Sequence, residues 1–391
     1  MAKQSLAAAQ KDKKDEFYTQ WVDIEREMNA YLEYDPDVFR GKVILLPCDD
    51  PEWSNFTKFF ALHFAEFGIK KLISMSYAPD SNPAGPYYMP TLFEMADPKF
   101  DATKTRVNGK LFVLEHNDVN EDGVVNIDDL QWKYLEGGGD FRSDEVMRLR
   151  DEADIIITNP PFSLFRDFLA WILEADKEFA IIGTQNAIGY KEIFPLFKAN
   201  KVWLGKGFKG NVAHFASPYD DVATSADREE GMIRVSGVMW FTNIDHGRRH
   251  EPLQLMTMAD SIKYSKHKEV RGREYAQYDN YDAIDVPFTD AIPSDYGGLM
   301  GVPITFLDKY NPDQFEILGI TKSWDDGAGL KTKIYPTQTQ VSKDGWRSQV
   351  SKLNDGGAIV VDEAPSSTYY MVGDVMLVQP YARILVRRRK S

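Results

Sequence analysis

Asp154-Ile155-Ile156-Ile157-Thr158-Asn159-Pro160-Pro161-Phe162 is the stretch on which the reading of the fold turns. A short unbroken apolar run of this kind belongs to a strand buried on both faces of a parallel sheet. Two prolines cannot donate to a sheet ladder, so the strand must end at them and its last residues project from the carboxyl edge. In open α/β sheets that edge is where ligands bind.

Similar elements lie on both sides of this strand. Residues 15–40 read as a helix, with Trp21, Ile24, Met28 and Leu32 at helical spacing. Val43 to Leu46 and Lys71 to Ser76 read as strands, separated by a helix over Ser54 to Phe67 that Gly68 closes. Phe112 to Glu115, Phe179 to Ile182 and Val235 to Thr242 are further strands. Strands alternating with helices predict a doubly wound, mostly parallel sheet over residues 1–250. Beyond residue 250 short β-like runs, such as Ile304-Thr305-Phe306, Phe315 to Leu318 and Tyr370 to Val372, alternate with Pro, Gly, Asn and Asp. That texture predicts a mixed α+β second domain over 251–391.

Composition sets the broad class. The 391 residues are 43% hydrophobic, enough for a buried core, and no apolar run reaches the ~20 residues that span a bilayer. The first residues, MAKQSLAAAQKDKKDEFY, lack the apolar core of a signal peptide. A single cysteine, Cys48, excludes an internal disulfide and suits a reducing cytoplasm. The net charge of −14 counts against a nucleic-acid partner. The cations are unevenly spread, however: Lys201, Lys206, Lys209, Arg248, Arg249, Lys263, Lys266, Lys268, Arg271 and Arg273 share one stretch, and Arg383 and Arg387 to Lys390 close the chain. An acidic protein with a local basic face is the expectation.

The chemistry resides at Asn159-Pro160-Pro161-Phe162. An exocyclic amine carries two N–H donors and needs acceptors to orient it. The side-chain oxygen of Asn159 and the backbone carbonyl of Pro160 supply both without charge. Phe162 offers a face on which a flipped-out base stacks. The plainer reading is a rigid turn with a buried Phe. The motif leaves the substrate open, because methyltransferases acting on glutamine or on RNA guanine amines share it.

With FYTQWVDIE, VILLPCDDPEWSNF, GGGDFRS, SGVMWFTN and YGGLMGVPITFLDKYNPDQFEILG beside DIIITNPPF, the chain resembles the EcoRI-type adenine-specific DNA methyltransferase family along nearly its whole length. The resemblance implies a methyltransferase sheet, S-adenosylmethionine as methyl donor and a C-terminal target-recognition domain. It implies cofactor contacts from Phe17, Tyr18 and Thr19, from Pro47, Cys48 and Asp49, and from Asp140 and Phe141. Trp240-Phe241-Thr242-Asn243 resembles a late motif near the target base. Two features depart from the pattern: PCDDPEWSN stands where a Gly-rich loop is usual, and no acidic residue ends the strand ISMSYAP. Asp49, Asp50 and Asp140 also fit a turn or a helix cap.

Asp118 to Asp129 fits a twelve-residue calcium loop, with Asp118, Asn120, Asp122, the Val124 carbonyl and Asp129 as ligands and Gly123 at the turn. The alternative is an acidic turn that caps a helix starting near Ile127.

The expectation is an enzyme that transfers methyl from S-adenosylmethionine to N6 of a flipped adenine in double-stranded DNA. It is expected to act as a cytoplasmic monomer, with a restriction endonuclease partner or alone. Lys263, Lys266, Lys268, Arg271 and Arg273 are its expected DNA contacts. Two alternatives stand beside it: a methyltransferase of RNA or protein amines, and an inactive DNA-binding relative.

Overall fold

The strand Ile155–Thr158 (β6) is fully buried in the middle of an eight-stranded sheet. Across that sheet the order is β5 (Gln131–Tyr134), β4 (Lys110–Leu114), β3 (Lys71–Ser76), β2 (Val43–Leu46), β6, β7 (Glu178–Thr184), β12 (Val238–Thr242) and β8 (Trp203–Leu204). The computed structural model describes residues 18–50, 54–78, 95, 97–120, 122–216, 228–229, 232–325 and 329–389. The chain divides into one unit of residues 1–187 and 203–247, and a second of 188–202 and 248–391.

Only three of the seven pairings in the large sheet are parallel: β3–β2, β2–β6 and β6–β7. The other four are antiparallel, so the mostly parallel sheet of the sequence reading is corrected to a mixed one with a parallel centre. Alternation along the central strands sends side chains to both faces. On one face Ile44, Leu46, Ile155, Ile157 and Ile182 pack against Ile24, Met28 and Tyr31 of α1 (Trp21–Tyr34) and Phe56, Phe59 and Phe60 of α2 (Asn55–Leu62). The helix α3 (Asp144–Glu152) leads into β6. On the opposite face α4 (Phe165–Glu174) sets Phe165 with its ring centroid 4.9 Å from that of Phe241. A Cβ at Gly183 would lie 2.4 Å from that Phe165 ring, so the close approach of α4 requires glycine there.

Helix ends follow local chemistry. The expected helix over 15–40 is α1, which stops at Tyr34 because Pro36 disfavours helical geometry at the preceding Asp35. The expected helix over 54–67 stops at Leu62 and continues as turns to Gly68, whose φ is +65°. The side chain of Ser54 caps α2 by accepting from the Phe56 amide at 3.1 Å.

The single strand expected over Val235 to Thr242 is two strands. Gly237, at φ +70°, separates β11 (Met232–Ser236) from β12. β11 belongs to a second sheet with β1 (Tyr18–Thr19), β9 (Val212–Ala216) and β10 (Arg228–Glu229).

In the second unit β21 (Arg383–Arg388) lies between β14 (Met300–Pro303) and β15 (Phe315–Ile320), with β13 (Ile284–Asp285) at the edge. A five-stranded antiparallel sheet is formed by β17 (Arg347–Gln349), β16 (Thr339–Val341), β19 (Tyr369–Val372), β20 (Val375–Val378) and β18 (Ile359–Val360). Two short helices, α5 (Phe194–Lys198) and α6 (Met258–Tyr264), also belong to this unit. Ile304-Thr305-Phe306 is not β: it opens a 3₁₀ turn over Ile304–Lys309 after Pro303, which is fixed near the φ that starts a helix. Among the described residues no helix is long and apolar enough to cross a membrane.

Candidate active site

Strand order reverses between β2 and β6: from β2 the chain moves to β3 on one side, and from β6 to β7 on the other. In doubly wound sheets the carboxyl ends of two such neighbours flank the crevice where ligands bind. Pro47-Cys48-Asp49 leaves β2 there, and Asn159-Pro160-Pro161 leaves β6.

A buried carboxylate joins the two strand ends. Asp49 is 4% exposed, and its Oδ2 accepts from Thr158 Oγ1 at 2.5 Å while its Oδ1 accepts from Ser54 Oγ at 2.6 Å. Its main chain is held as tightly. The Asp49 carbonyl accepts from Thr57 Oγ1 at 3.0 Å and from the Ser74 hydroxyl, and its amide donates to Met75 O at 3.0 Å. Hydroxyls thus fix the backbone that a Gly-rich loop would otherwise shape. Burial pushes the Asp49 carboxyl up to about 7, against the Ser54 and Thr158 hydrogen bonds, which lower it. Asp49 is therefore neither the turn nor the cap of the plainer reading; the cap is Ser54.

Asn159 is half-buried and Pro160 buried at the crevice. Asn159 Nδ2 donates to Thr19 Oγ1 at 3.4 Å, and Asn55 Nδ2 donates to the Thr19 carbonyl at 2.8 Å. With its nitrogen turned to Thr19, the side-chain oxygen of Asn159 faces away from it. Phe162 starts a 3₁₀ turn and is 7% exposed within the core that α1 and α2 share with the sheet. The expected stacking ring is thus largely covered.

The expected cofactor segments converge on this crevice. Thr19 is buried against Asn159 and Asn55, and Tyr18 precedes it in β1. Tyr77, just beyond β3, has its hydroxyl raised well above the ordinary tyrosine range, chiefly by burial, with Cys48 and Asp140 adding to it. The Cys48 side chain and the Phe141 main chain both act on this hydroxyl, so Tyr77 links the β2 loop to the Asp140-Phe141 segment. That segment is brought there by glycines: the Gly138 carbonyl accepts from the Ala78 amide at 2.9 Å, and Gly139 at φ +87° passes the Ser76 carbonyl. Asp140 is exposed, and Arg142 grips both its oxygens at 3.0 and 2.9 Å, which holds its carboxyl below the usual range. Phe141 is buried against Phe168 and Trp171. Phe17 lies outside the described residues.

Two expectations are corrected. Thr242 and Asn243 sit at the amino end of β7, away from the crevice: Thr242 faces Ala180 across the ladder, and Asn243 bonds the Phe179 amide at 2.7 Å and the Lys177 carbonyl at 2.9 Å. Trp240 is buried mid-strand opposite Ile182.

The calcium loop is the second correction. Among the described residues no group of three or more His, Cys, Asp or Glu is placed to hold a metal ion. The proposed ligands bond the loop itself: Asp118 accepts from Gly123 at 2.7 Å, Asn120 from Asp122 at 3.0 Å, and Asp122 from Val124 at 2.8 Å. Asp129 accepts from Val119 at 2.7 Å and closes a capping box with Asn126. This is the acidic turn that caps residues Ile127–Asp129.

Lys263, Lys266, Lys268, Arg271 and Arg273 are all exposed, on α6 and the turns after it. Lys266 pairs with Asp290 at 2.8 Å and Lys263 lies 4.9 Å over the ring of Tyr264. His267 stacks on Phe288 at 3.7 Å, which pins this segment to the second unit.

Sequence reasoning missed Thr158, Ser54, Thr57, Ser74, Asn55 and Tyr77. Only Ser54 carried a local signal, as a residue of helix-capping type before an apolar helical run.

A switch-point crevice whose inner strand ends in Asn-Pro-Pro-Phe, with neutral acceptors at its mouth, has the form of an amino-directed methyltransferase site. The family described as adenine-specific methyltransferase EcoRI matches the chain over residues 5–389. The type II methyltransferase M.EcoRI of Escherichia coli is 41% identical over 326 residues, 82% of this chain and 90% of that protein. M.MpnI of Mycoplasma pneumoniae is 34% identical over 316 residues, 79% of this chain and 83% of that protein. M.MgeORF184P of Mycoplasma genitalium is 33% identical over 316 residues, again 79% of this chain and 84% of the relative. No solved structure matches significantly. The chain belongs to the EcoRI family of adenine-specific methyltransferases; it is a site-specific DNA methyltransferase, and its family's methyl donor is S-adenosylmethionine.

Proposed function

We propose that the crevice between β2 and β6 methylates N6 of an adenine flipped out of a specific duplex sequence, with Asn159 and Pro160 orienting the amine. The observation that carries this is Asn159 itself, half-buried at the end of β6 with its amide nitrogen turned to Thr19. Its side-chain oxygen and the Pro160 carbonyl then accept from the two N–H groups of the amine. Those bonds localise the nitrogen lone pair and stabilise the positive charge that develops on it. S-adenosylmethionine, when bound, supplies an electrophilic methyl on its sulfonium. Tyr18, Thr19, Pro47, Cys48, Asp49, Asp140 and Phe141 are the residues that would hold it, and Tyr77 joins two of these segments. The Asp49–Thr158 bond keeps β6 in register with the β2 loop, so that Asn159 is aimed before substrate arrives. The methylated amine is acidic and loses its proton to water, with no strong base required.

Phe162 stacks the flipped base once DNA entry uncovers one face of its ring. Neighbouring base pairs are read by the second unit, where exposed Lys263, Lys266, Lys268, Arg271 and Arg273 contact the duplex. Exposure of that segment supports a nucleic-acid substrate over a protein side chain. The proposal takes the enzyme as a cytoplasmic monomer, alone or beside a cognate endonuclease.

Methylation-aware sequencing of DNA from cells expressing the protein tests the reading. N6-methyladenine at one recurring sequence is expected. Unmodified DNA, with methyl transfer by the purified protein to RNA or protein instead, overturns it.

A further inference from the structure

In the second unit β21 outruns one of its neighbours. Its ladder with β14 ends at the Met300–Val386 pair, whereas β15 still pairs Glu316 with Arg387 and Phe315 with Arg388. Beside the overhang is a cleft of about 910 Å³, lined by Arg387, Arg388, Arg389 and the 294–297 segment.

Donors outnumber acceptors in this cleft. Arg387 is paired with Glu316 at 2.8 Å, and Arg389 donates Nε to the Pro312 carbonyl at 2.7 Å. Arg388 has a buried Nε with no hydrogen-bond partner. Asp295, the other carboxylate at the cleft, accepts from the Met258 amide through Oδ1 at 2.7 Å. Among the described residues neither Arg388 nor Arg389 has an ion-pair partner. Three guanidiniums, of Arg387, Arg388 and Arg389, meet only the two carboxylates of Glu316 and Asp295 in the lining, so the cleft is short of negative charge. Guanidinium forks match phosphate oxygens in pairs, and Ser294 and Tyr296 also line the cleft.

The cleft is joined to the basic segment already described. The Ser294 amide bonds Met256 O at 2.8 Å and Asp295 holds Met258, so the 294–297 wall is anchored to the start of α6. That helix carries Lys263 and leads to Lys268, Arg271 and Arg273.

We propose that the cleft at Arg387–Arg389 is a phosphate-binding site that grips the sugar–phosphate backbone of the duplex without reading its bases. This rests on the DNA reading above. It predicts a contribution to affinity that is independent of sequence and dependent on salt.

The test uses the full chain, a duplex the wild type methylates and a scrambled duplex, with dissociation constants measured across a range of salt. In the Arg388→Gln/Arg389→Gln variant the slope of log affinity against log salt should fall by about 0.9 for each phosphate no longer neutralised, equally on both duplexes. Glu316→Gln, which removes the carboxylate competing for Arg387, should tighten both duplexes and steepen the slope, so a misfolded double variant does not leave the proposal untested. Unchanged slopes in both variants, with wild type still methylating DNA, overturn the cleft proposal, as does a wild-type cleft that takes inorganic phosphate while both slopes stay unchanged. A wild type that methylates no DNA overturns the reading beneath it instead.

Discussion

Thr158 donates to the carboxylate of Asp49 at 2.5 Å across 109 residues of chain, and the next residue is Asn159. This bond links the ends of the two strands that flank the crevice. It lies in a buried setting where a missing partner leaves a polar group unsatisfied.

Replacing Thr158 with Val keeps the β-branched shape and removes the hydroxyl. We expect a stability loss of about 1–3 kcal/mol, because Asp49 is left with a missing donor. Turnover should also fall, since β6 loses the bond that holds Asn159 in place. Denaturant unfolding and single-turnover kinetics check both. Wild-type values in the two assays would contradict the positioning role of the bond.

Asp49 gives stability a pH dependence whose sign follows from its raised carboxyl. The native group titrates near 7, against 3.8 for the ordinary carboxyl. Between those values the folded protein keeps a proton that the unfolded chain releases, so this contribution is full below about pH 4 and fades as pH rises. The loss is complete above about pH 7 and amounts to about 4 kcal/mol at most. Asp49→Asn keeps a neutral group of the same shape and removes the effect. Unfolding free energies of the two proteins from pH 5 to 8 should diverge, the Asn variant gaining on wild type as pH rises. Parallel curves would mean that Asp49 is charged throughout.

For Phe162, truncation to Ala confounds two effects, because the ring is core. Large-to-small changes there cost about 3–5 kcal/mol whatever the role in catalysis. Phe162→Leu is the informative change: it keeps apolar volume and removes the aromatic face. Its stability should change by less than about 1.5 kcal/mol, while productive DNA binding weakens by about 1–3 kcal/mol. Equal DNA affinity for Leu and Phe would remove Phe162 from base stacking.

The exposed segment after α6 should act through phosphates. Neutralising Lys268, Arg271 and Arg273 together is expected to weaken binding to every duplex and flatten the salt dependence by about 0.9 per phosphate released. A change confined to sequence preference would point instead to base contacts at those residues. Anisotropy titrations with matched and scrambled duplexes separate the two.

Much of the site was legible because its strand is buried on both faces. Ile155 to Thr158 has no polar alternation to confuse the reading, and the prolines mark its end without ambiguity. The antiparallel half of the sheet was less legible, since direction depends on connections and not on the apolar run. Val235 to Thr242 looked continuous because nothing in the side chains of its neighbours reports the φ of +70° at Gly237, yet that torsion sends the two halves to different sheets. The buried bond of Asp49 to Thr158 was not legible because the two residues are remote in sequence. The calcium pattern failed for a related reason: side chains at alternating positions suit a metal and suit backbone amides equally, and here the amides take them.

The central claim is that Asn159 orients the reacting amine, and Asn159→Ala tests it most directly. Methyl transfer from tritiated S-adenosylmethionine to a saturating duplex should be abolished, because the hydrogen bond this variant removes strengthens in the transition state. Calorimetric binding of S-adenosylmethionine should survive, since the segments at Thr19, Asp49 and Phe141 remain in place. Wild-type turnover by the Ala variant under those conditions would contradict the account.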